Sequence, residues 1–505
     1  MVPRRSSRAP STKTAPSVVS DKAAPKPRVN GTSKRAASPE LAQAPPAKRS
    51  RSIAPKSENV PPAPAESPSA PEHVQLKPYF NPLPTPPPKK RPGLLPFAWG
   101  TGNFGQFGMG PDHLDEIPKP KRNVWAEEKM QSNAFGEDHA GMEFVASGGL
   151  HTIFIDETGT VWTCGVNDDA ALGRVTQDVP DPNNPGSFLS VDELTSYPHP
   201  LKSLVDEGFR AVKAVAGDSI CAAVSDKGEL KVWGSFRVNE GSLGFSNGLK
   251  HQYTPVSILQ LSHKPGDAEK ISSIASGGNH ILVLTTHGNI YSWGAGEQAQ
   301  LGRKVMERRK IHGTVPEKVT LGTRSRKATT VGAGSFHSFA VDDKGDVWGW
   351  GLNSMGQTGT GWESSEDSVV QLPKKVIGLS KHDLDGDVVV QIEGGNHHTL
   401  FLTNLGRVYA CGRSSAGQLG LPEDHPAFKD QIDPDFVPEP QLVPFPDPED
   451  PVVQISVGVH NNAAVTKGGA LYTWGQGVQS ELGLGDEEEV RTPRVVHTVG
   501  LFRKK

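Results

Sequence analysis

Cysteine is scarce: Cys164, Cys221 and Cys411 are the only three in 505 residues, far apart and without a CxxC pair. That spacing excludes a disulfide framework or a cysteine zinc site as an expectation, and it fits a reducing compartment. No apolar run reaches the roughly 18 residues that a transmembrane helix needs, so no membrane partner is expected. The opening Met1-Val2-Pro3-Arg4-Arg5 lacks the apolar core of a secretory signal. Amphipathic helical periodicity over a dozen residues is also absent. So are the usual marks of catalysis: no HExxH, no close His/Cys/Asp cluster and no GxSxG nucleophile elbow occur. Neither covalent chemistry nor a metal or other cofactor has a motif behind it.

What the chain does have is an uneven charge. Residues 1–97 carry 17 Lys/Arg against 5 Asp/Glu, a net of +12. The whole chain has 53 and 56, so residues 98–505 hold 36 against 51, a net of −15. The overall −3 hides a basic tail and an acidic body. The tail suits polyanions; the body should repel bare nucleic acid and attract basic protein surfaces.

The tail also holds 22 of the 44 prolines and little aromatic content before Pro96. Such a segment buries too little apolar surface to offset chain entropy, which predicts a disordered region over residues 1–96. Lys34-Arg35 and Lys48-Arg49-Ser50-Arg51 are separated by twelve residues, a spacing similar to a bipartite nuclear import signal. Lys34, Arg35, Lys48, Arg49 and Arg51 are therefore candidate contacts for an import receptor. Pro88-Lys89-Lys90-Arg91 is a shorter candidate, and contact with DNA phosphates is compatible with both.

Residues 97–505 are built on an internal repeat. Seven segments resemble one another: Ala98-Trp99-Gly100, Thr163-Cys164-Gly165, Val232-Trp233-Gly234, Ser292-Trp293-Gly294, Gly349-Trp350-Gly351, Ala410-Cys411-Gly412 and Thr473-Trp474-Gly475. Successive glycines are 65, 69, 60, 57, 61 and 63 residues apart. Relatives of Gly-Gln-Leu-Gly follow, such as Gly105-Gln106-Phe107-Gly108 and Gly417-Gln418-Leu419-Gly420. Between copies lies a Gly-x-x-His element and a short apolar run, as at Gly148 to His151, Gly277 to His280, Gly334 to His337 and Gly394 to His397. Short Val/Ile/Leu/Phe runs bounded by glycine turns predict strands. About four per repeat make one blade, and blades around an axis bury each sheet's faces. The expectation is an all-β, seven-bladed β-propeller.

Two motifs inside the repeat invite other readings. Gly100-Thr101-Gly102-Asn103-Phe104-Gly105 matches GxGxxG, yet it sits in a repeat copy and lacks the βαβ setting of a dinucleotide site. His151, His280, His337 and His397 fall at equivalent places in different blades, so they are spread around the ring. That placement suits a buried imidazole bonded to local backbone rather than a metal.

A repeat near 60 residues with Trp-Gly and Gly-Gln-Leu-Gly resembles the regulator-of-chromosome-condensation family over roughly residues 97–500. The third copy departs most from the others: Ser235-Phe236-Arg237-Val238-Asn239-Glu240-Gly241-Ser242-Leu243-Gly244 is similar to the protruding β-wedge of the family's Ran exchange factors. The resemblance implies a guanine-nucleotide exchange factor for the small GTPase Ran that uses Phe236, Arg237, Asn239, Glu240, Gly241, Leu243 and Gly244. Ala216-Gly217-Asp218-Ser219 is similar to a segment whose Asp faces Ran, which makes Asp218 a candidate. Asn279 stands where the animal pattern has Asp. Gly395-Asn396-His397-His398-Thr399 is similar to a double-His segment implicated in exchange; the repeat spacing puts His397 in the structural slot and leaves His398 as the more variable position, and either one is left to point outward. The basic run from Arg303 to Lys310 either touches the GTPase or is solvated.

Further expectations come with the resemblance. Partners would be Ran, histones and DNA in chromatin, and an import receptor; localisation would be nuclear and chromatin-associated. The ring would drive nucleocytoplasmic transport and spindle assembly in mitosis, with no covalent step. The alternative is a propeller scaffold without exchange activity, for which residues 235–245 would be dispensable. Seven Trp-Gly copies face only six Gly-x-x-His copies, so the closing blade is expected to lack its C-terminal strands and to expose an apolar seam. Leu421 to Pro451 reads as a long acidic, Pro-rich insertion between blades.

Overall fold

The computed structural model describes residues 77–323, 325–429, 435–486 and 488–497. The chain divides into two units at Glu72 and His73, and every described residue lies in the second. The import-signal residues Lys34, Arg35, Lys48, Arg49 and Arg51 lie outside the described residues.

Six antiparallel four-stranded sheets follow one another along the chain. The first blade holds Met142–Ser147, His151–Asp156, Val161–Gly165 and His199–Pro200. The second holds Ala211–Ala216, Ile220–Ser225, Leu230–Gly234 and Gln252–Val256. The third to sixth repeat the plan and end with Val490–Val495. The first Trp-Gly copy instead forms a two-stranded sheet, Phe97–Gly100 with Ile117–Arg122. Among the described residues, then, six complete blades are present where the repeat count predicts seven.

Local chemistry explains the strand order. In five blades the second strand is buried at all six positions and rich in β-branched or other apolar residues, as suits a strand covered on both faces. Prolines collect in the outermost strands, at Pro118, Pro120, Pro200, Pro255, Pro373, Pro438, Pro440 and Pro493. Proline has no amide to offer a further strand, so it caps the rim against edge-to-edge pairing. Leu421 to Pro451 is thus not all insertion: Phe436–Leu442 within it is the outer strand of the fifth blade.

The repeat glycines and tryptophans join the blades. Gly234 has φ +94, and a Cβ there would collide with the Ser219 carbonyl. Trp233 donates its indole N–H to the Ala171 carbonyl of the preceding repeat at 2.9 Å, Trp350 to Gln300 at 2.9 Å and Trp474 to Gln418 at 3.2 Å. Where Cys replaces Trp, the thiols of Cys164 and Cys411 lie 3.6 Å from the matching carbonyls of Gln106 and Gln357. Burial pushes the Cys164 thiol up to about 12, so it is a packing group and not a nucleophile.

The same bond places the two-stranded sheet. Trp99 donates to the Glu481 carbonyl of the sixth blade at 2.8 Å, and Thr152 of the first blade donates to the Gln106 carbonyl at 2.7 Å. The sheet therefore sits between the sixth and first blades. It covers one face of the sixth blade less fully. In the sixth blade the second strand, Asn461–Thr466, alternates: Asn462, Ala464 and Thr466 are buried, while Asn461, Ala463 and Val465 are half-buried.

Histidines form a second set of links. His151, His280, His337 and His398 each begin a second strand, and each reaches the second strand of the next blade. Nε2 lies 3.0 Å from Cys221 Sγ, 2.7 Å from Ser338 Oγ, 2.8 Å from Thr399 Oγ1 and 2.9 Å from Asn462 Oδ1, respectively. The expected local-backbone partner is replaced by a side chain across the blade interface.

Residues 77–95 correct the compositional expectation for the tail. They run as an extended strap over the ring. Asn81, 6% exposed, donates from Nδ2 to the carbonyls of Thr285 and Ala328 at 3.0 and 2.9 Å. Ser272 donates to the Pro82 carbonyl at 2.6 Å, Arg91 pairs with buried Glu157 at 2.8 Å, and the Met142 N–H donates to the Leu94 carbonyl at 2.9 Å. The prolines that suggested disorder pre-set an extended chain and lower the entropy lost on docking. Asn81→Ala is expected to cost about 2 kcal/mol by removing two buried hydrogen bonds. Urea unfolding measures that loss, and faster tryptic cleavage at Lys89-Lys90 reports release of the strap.

Candidate partner-binding site

The loops that precede the second strands lie on one face of the ring and are bonded from blade to blade. Amide donors and carbonyl acceptors pair as Gly149 to Gly217 at 3.0 Å, Asp218 to Gly278 at 2.7 Å, Gly278 to Ser335 at 3.1 Å, Ser335 to Gly395 at 3.0 Å and Asn396 to Val459 at 3.1 Å. Backbone bonds of this kind make a stiff collar. Asp218, Asn279 and His397 stand on it.

The divergent third copy leaves this collar as a hairpin. Arg237 pairs with Ser242 and Val238 with Gly241, and Asn239 and Glu240 form the turn. Gly241 has φ +116, which suits glycine in so tight a reversal. Arg237, Asn239 and Glu240 are exposed, and Gly241 and Leu243 are half-buried.

Two residues assigned to the wedge point the other way. Phe236 is 0% exposed, 5.4 Å from the Phe245 ring centroid, in a core cluster with Trp293. Gly244 is buried, and a Cβ there would meet the Leu249 carbonyl at 2.5 Å. Both anchor the hairpin and cannot touch a partner. The reason is position: Phe236 precedes the strand pair Arg237–Val238 and Gly241–Ser242 and Gly244 follows it, so both lie at the base of the hairpin, against the blade.

Asn279 joins the two acidic and basic candidates. It is 8% exposed, so it too is a support and not a contact surface. Its Nδ2 donates to Asp218 Oδ2 at 2.6 Å, while its Oδ1 accepts the Arg237 N–H at 2.8 Å. Only an amide offers a donor and an acceptor together here; an ionised carboxylate accepts alone. Asn279→Asp is expected to lower stability by roughly 1–3 kcal/mol through a lost bond and a like-charge contact. Asp218→Asn in the same chain should restore most of it, as read from urea midpoints.

The two histidines exchange roles relative to the sequence expectation. Both Gly394-to-His397 and Gly395-to-His398 fit the repeat spacing, but the Gly395 N–H donates to the His398 carbonyl, as Gly277 does to His280 and Gly334 to His337. His398 is therefore the slot residue, 0% exposed, and burial lowers its imidazole to about 4. His397 is half-buried on the collar, 3.3 Å from Gln357 Nε2. Burial, then the Arg413 guanidinium and His460, hold its pKa below the ordinary value. His397 is the member of the pair that faces outward, and no recorded bond joins it to the hairpin.

Asp169, not foreseen in the sequence, and Lys310, from the basic run, steady the hairpin. Asp169, from the first blade's final loop, accepts Ser242 Oγ–H at 2.6 Å and lies 3.4 Å from Arg237 Nε and 2.9 Å from His251 Nε2. Lys310 bonds Glu240 at 2.8 Å. Of the basic run, Arg303 is turned inward to the Gly313 and Val315 carbonyls and to Glu317, while Lys304, Arg308 and Arg309 are exposed. No group of three His, Cys, Asp or Glu able to hold a metal exists among the described residues.

Comparison with known proteins agrees with this geometry: the RCC1-like domain matches residues 96–505. The chain belongs to that family. The Guanine nucleotide exchange factor SRM1 of Saccharomyces cerevisiae is 33% identical over 417 residues, covering 78% of this chain and 81% of that protein. The solved structure of Prp20p from Saccharomyces cerevisiae, described with its binding to Gsp1p and histones, superimposes with TM-score 0.68 at 30% identity over 84% of this chain and 88% of that one. A structure of Kap60 bound to yeast RCC1 (Prp20) gives TM-score 0.68 at 29% identity over 90% and 92%. The hairpin from Arg237 to Ser242 lies within the residues that the RCC1-like domain matches.

Proposed function

We propose that this chain is a guanine-nucleotide exchange factor for the small GTPase Ran, promoting GDP release and GTP loading on chromatin. The observation that carries the reading is the exposed Asn239–Glu240 turn, projecting from a collar that is bonded around the ring. The names of the relatives support it. A small GTPase holds GDP through a phosphate loop whose backbone amides cradle the phosphates, with Mg²⁺. An exchange factor breaks no bond in its partner. It binds the nucleotide-free form better than the loaded form, so factor and nucleotide weaken each other's binding reciprocally. A hairpin on a stiff base serves this purpose because force goes into the GTPase and not into the factor. Asp218, exposed on the collar, supplies acidic character for a basic partner surface, and the net negative body favours encounter with it. His397 adds a neutral donor and acceptor on the same face. GTP then enters because it is the more abundant nucleotide in cells.

The finer assignments belong to the same reading. We infer a seven-bladed ring in which the sheet of Phe97–Gly100 and Ile117–Arg122 is half of the closing blade. The basic tail would engage an import receptor and DNA, the acidic body histones. A GTP-rich pool of Ran around chromosomes would follow, giving direction to nucleocytoplasmic transport and cues for spindle assembly in mitosis. The test mixes catalytic amounts of the protein with Ran carrying fluorescent GDP. Accelerated release at substoichiometric protein is expected. Binding to Ran without acceleration would instead favour a scaffold.

A further inference from the structure

We propose that Lys310 is a positioning residue for the wedge: through Glu240 it fixes the bearing of the hairpin tip against the third blade. The inference rests on the exchange reading for its function, but its geometry is independent of it. The hairpin has only two residue pairs, and a two-stranded hairpin alone is marginal in water. It must be held from outside, and three holds are visible. Asn279 bonds the base at the Arg237 N–H, Asp169 of the first blade bonds the flank, and Lys310 of the third blade bonds the tip.

The tip hold is built, not incidental. Lys310 lies in the 3-10 segment Glu307–Thr314, and its side chain is only 22% exposed. Its ammonium meets three carboxylates: Glu240 at 2.8 Å, Glu297 at 2.6 Å and Glu307 at 3.0 Å. Three N–H donors meet three acceptors, so the group is fully used. Glu297, 17% exposed, sits in the loop after Trp293-Gly294 and ties the ammonium to the ring. Glu240 is 68% exposed and would otherwise swing freely. Isolated surface pairs contribute little, but an ammonium shared by several carboxylates, one of them mostly buried, forms a network. The bonded carboxylates, Glu240 first, raise the Lys310 pKa, so the hold persists across the physiological range. In the basic run around it, Arg303 serves its own blade, which leaves Lys310 as the cation recorded on the hairpin among the described residues.

The test has two readouts on the full chain. Hydrogen exchange of the amides from Arg237 to Leu243, in the protein alone, should quicken about tenfold in Lys310→Ala, with the blade strands unchanged and protection recovered in Lys310→Arg. Release of fluorescent GDP from Ran should fall about tenfold in kcat with KM within about twofold, because a misdirected tip costs the step and not the encounter. Lys310→Ala should add nothing further in a Glu240→Ala chain. Unchanged hairpin exchange, or losses that add in the double variant, would overturn the proposal. If the native chain releases no GDP while Lys310→Ala still loosens the hairpin, positioning stands and the exchange reading falls.

Discussion

At pH 5 the ring is expected to be less stable than at pH 7 by several kcal/mol, and the loss comes from four imidazoles. Burial lowers His151 and His398 to about 4, and His280 and His337 to about 3, against an ordinary value of 6.5. The unfolded chain therefore binds more protons than the folded one once the pH drops below 6.5. The stabilisation is present above that pH and drains away as pH falls toward the folded values. Each histidine contributes roughly 2 kcal/mol of loss by pH 5. The geometry gives the cause: Nε2 is engaged across a blade interface, and Nδ1 of His280, His337 and His398 has no partner to accept a hydrogen bond. The fold holds Asp346 and Asp387 below their ordinary range, outside this window, while burial raises Glu143, Asp156 and Glu393, which offset part of the histidine loss as pH falls. Urea midpoints at the two pH values, at constant ionic strength, measure the effect. His337→Asn copies the residue that the sixth blade carries natively at Asn461, and it should remove about a quarter of the acid sensitivity. Equal midpoints at both pH values, or an unchanged sensitivity in that variant, would contradict the assignment of these groups.

The histidines also show how far sequence reasoning reaches. Trp-Gly spacing located the six four-stranded blades because each copy needs the same glycine turn, and most place an indole or thiol against the preceding repeat; the first copy forms only a two-stranded sheet, and the Trp293 indole N–H has no partner. That local rule repeats and is therefore legible. The choice between His397 and His398 was not, since two glycines and two histidines satisfy the spacing equally; only strand pairing resolves it. Phe236 was placed in the wedge because a resemblance names a block of residues and not the face each side chain takes. Asp169 left no sequence signal, and Lys310 was visible only as part of a basic run; the ring brings them to the hairpin from 68 residues before Arg237 and 70 after Glu240. Composition predicted disorder for the proline-rich strap, because it carries no sign of the single buried amide of Asn81 that docks it.

The largest functional effect is expected at the hairpin tip. Excising Val238 to Gly241 and joining Arg237 to Ser242 through two glycines removes the exposed turn and keeps Phe236, Phe245 and Asn279 in place. The core is untouched, so the melting temperature should stay within about 2 °C. If the tip supplies the differential binding that drives release, its loss should slow exchange at least about 100-fold, which corresponds to roughly 2.7 kcal/mol at the barrier. Asp218→Asn on the collar should act differently: it removes the charge but keeps an acceptor for Asn279, so it weakens encounter and changes the salt dependence while leaving kcat nearly intact.

Stopped-flow release of fluorescent GDP from Ran, compared between the intact ring and the tip-excised ring at matched melting temperature, goes to the centre of this account. A loss of two orders of magnitude or more is predicted. Undiminished release by a ring without its turn would contradict it.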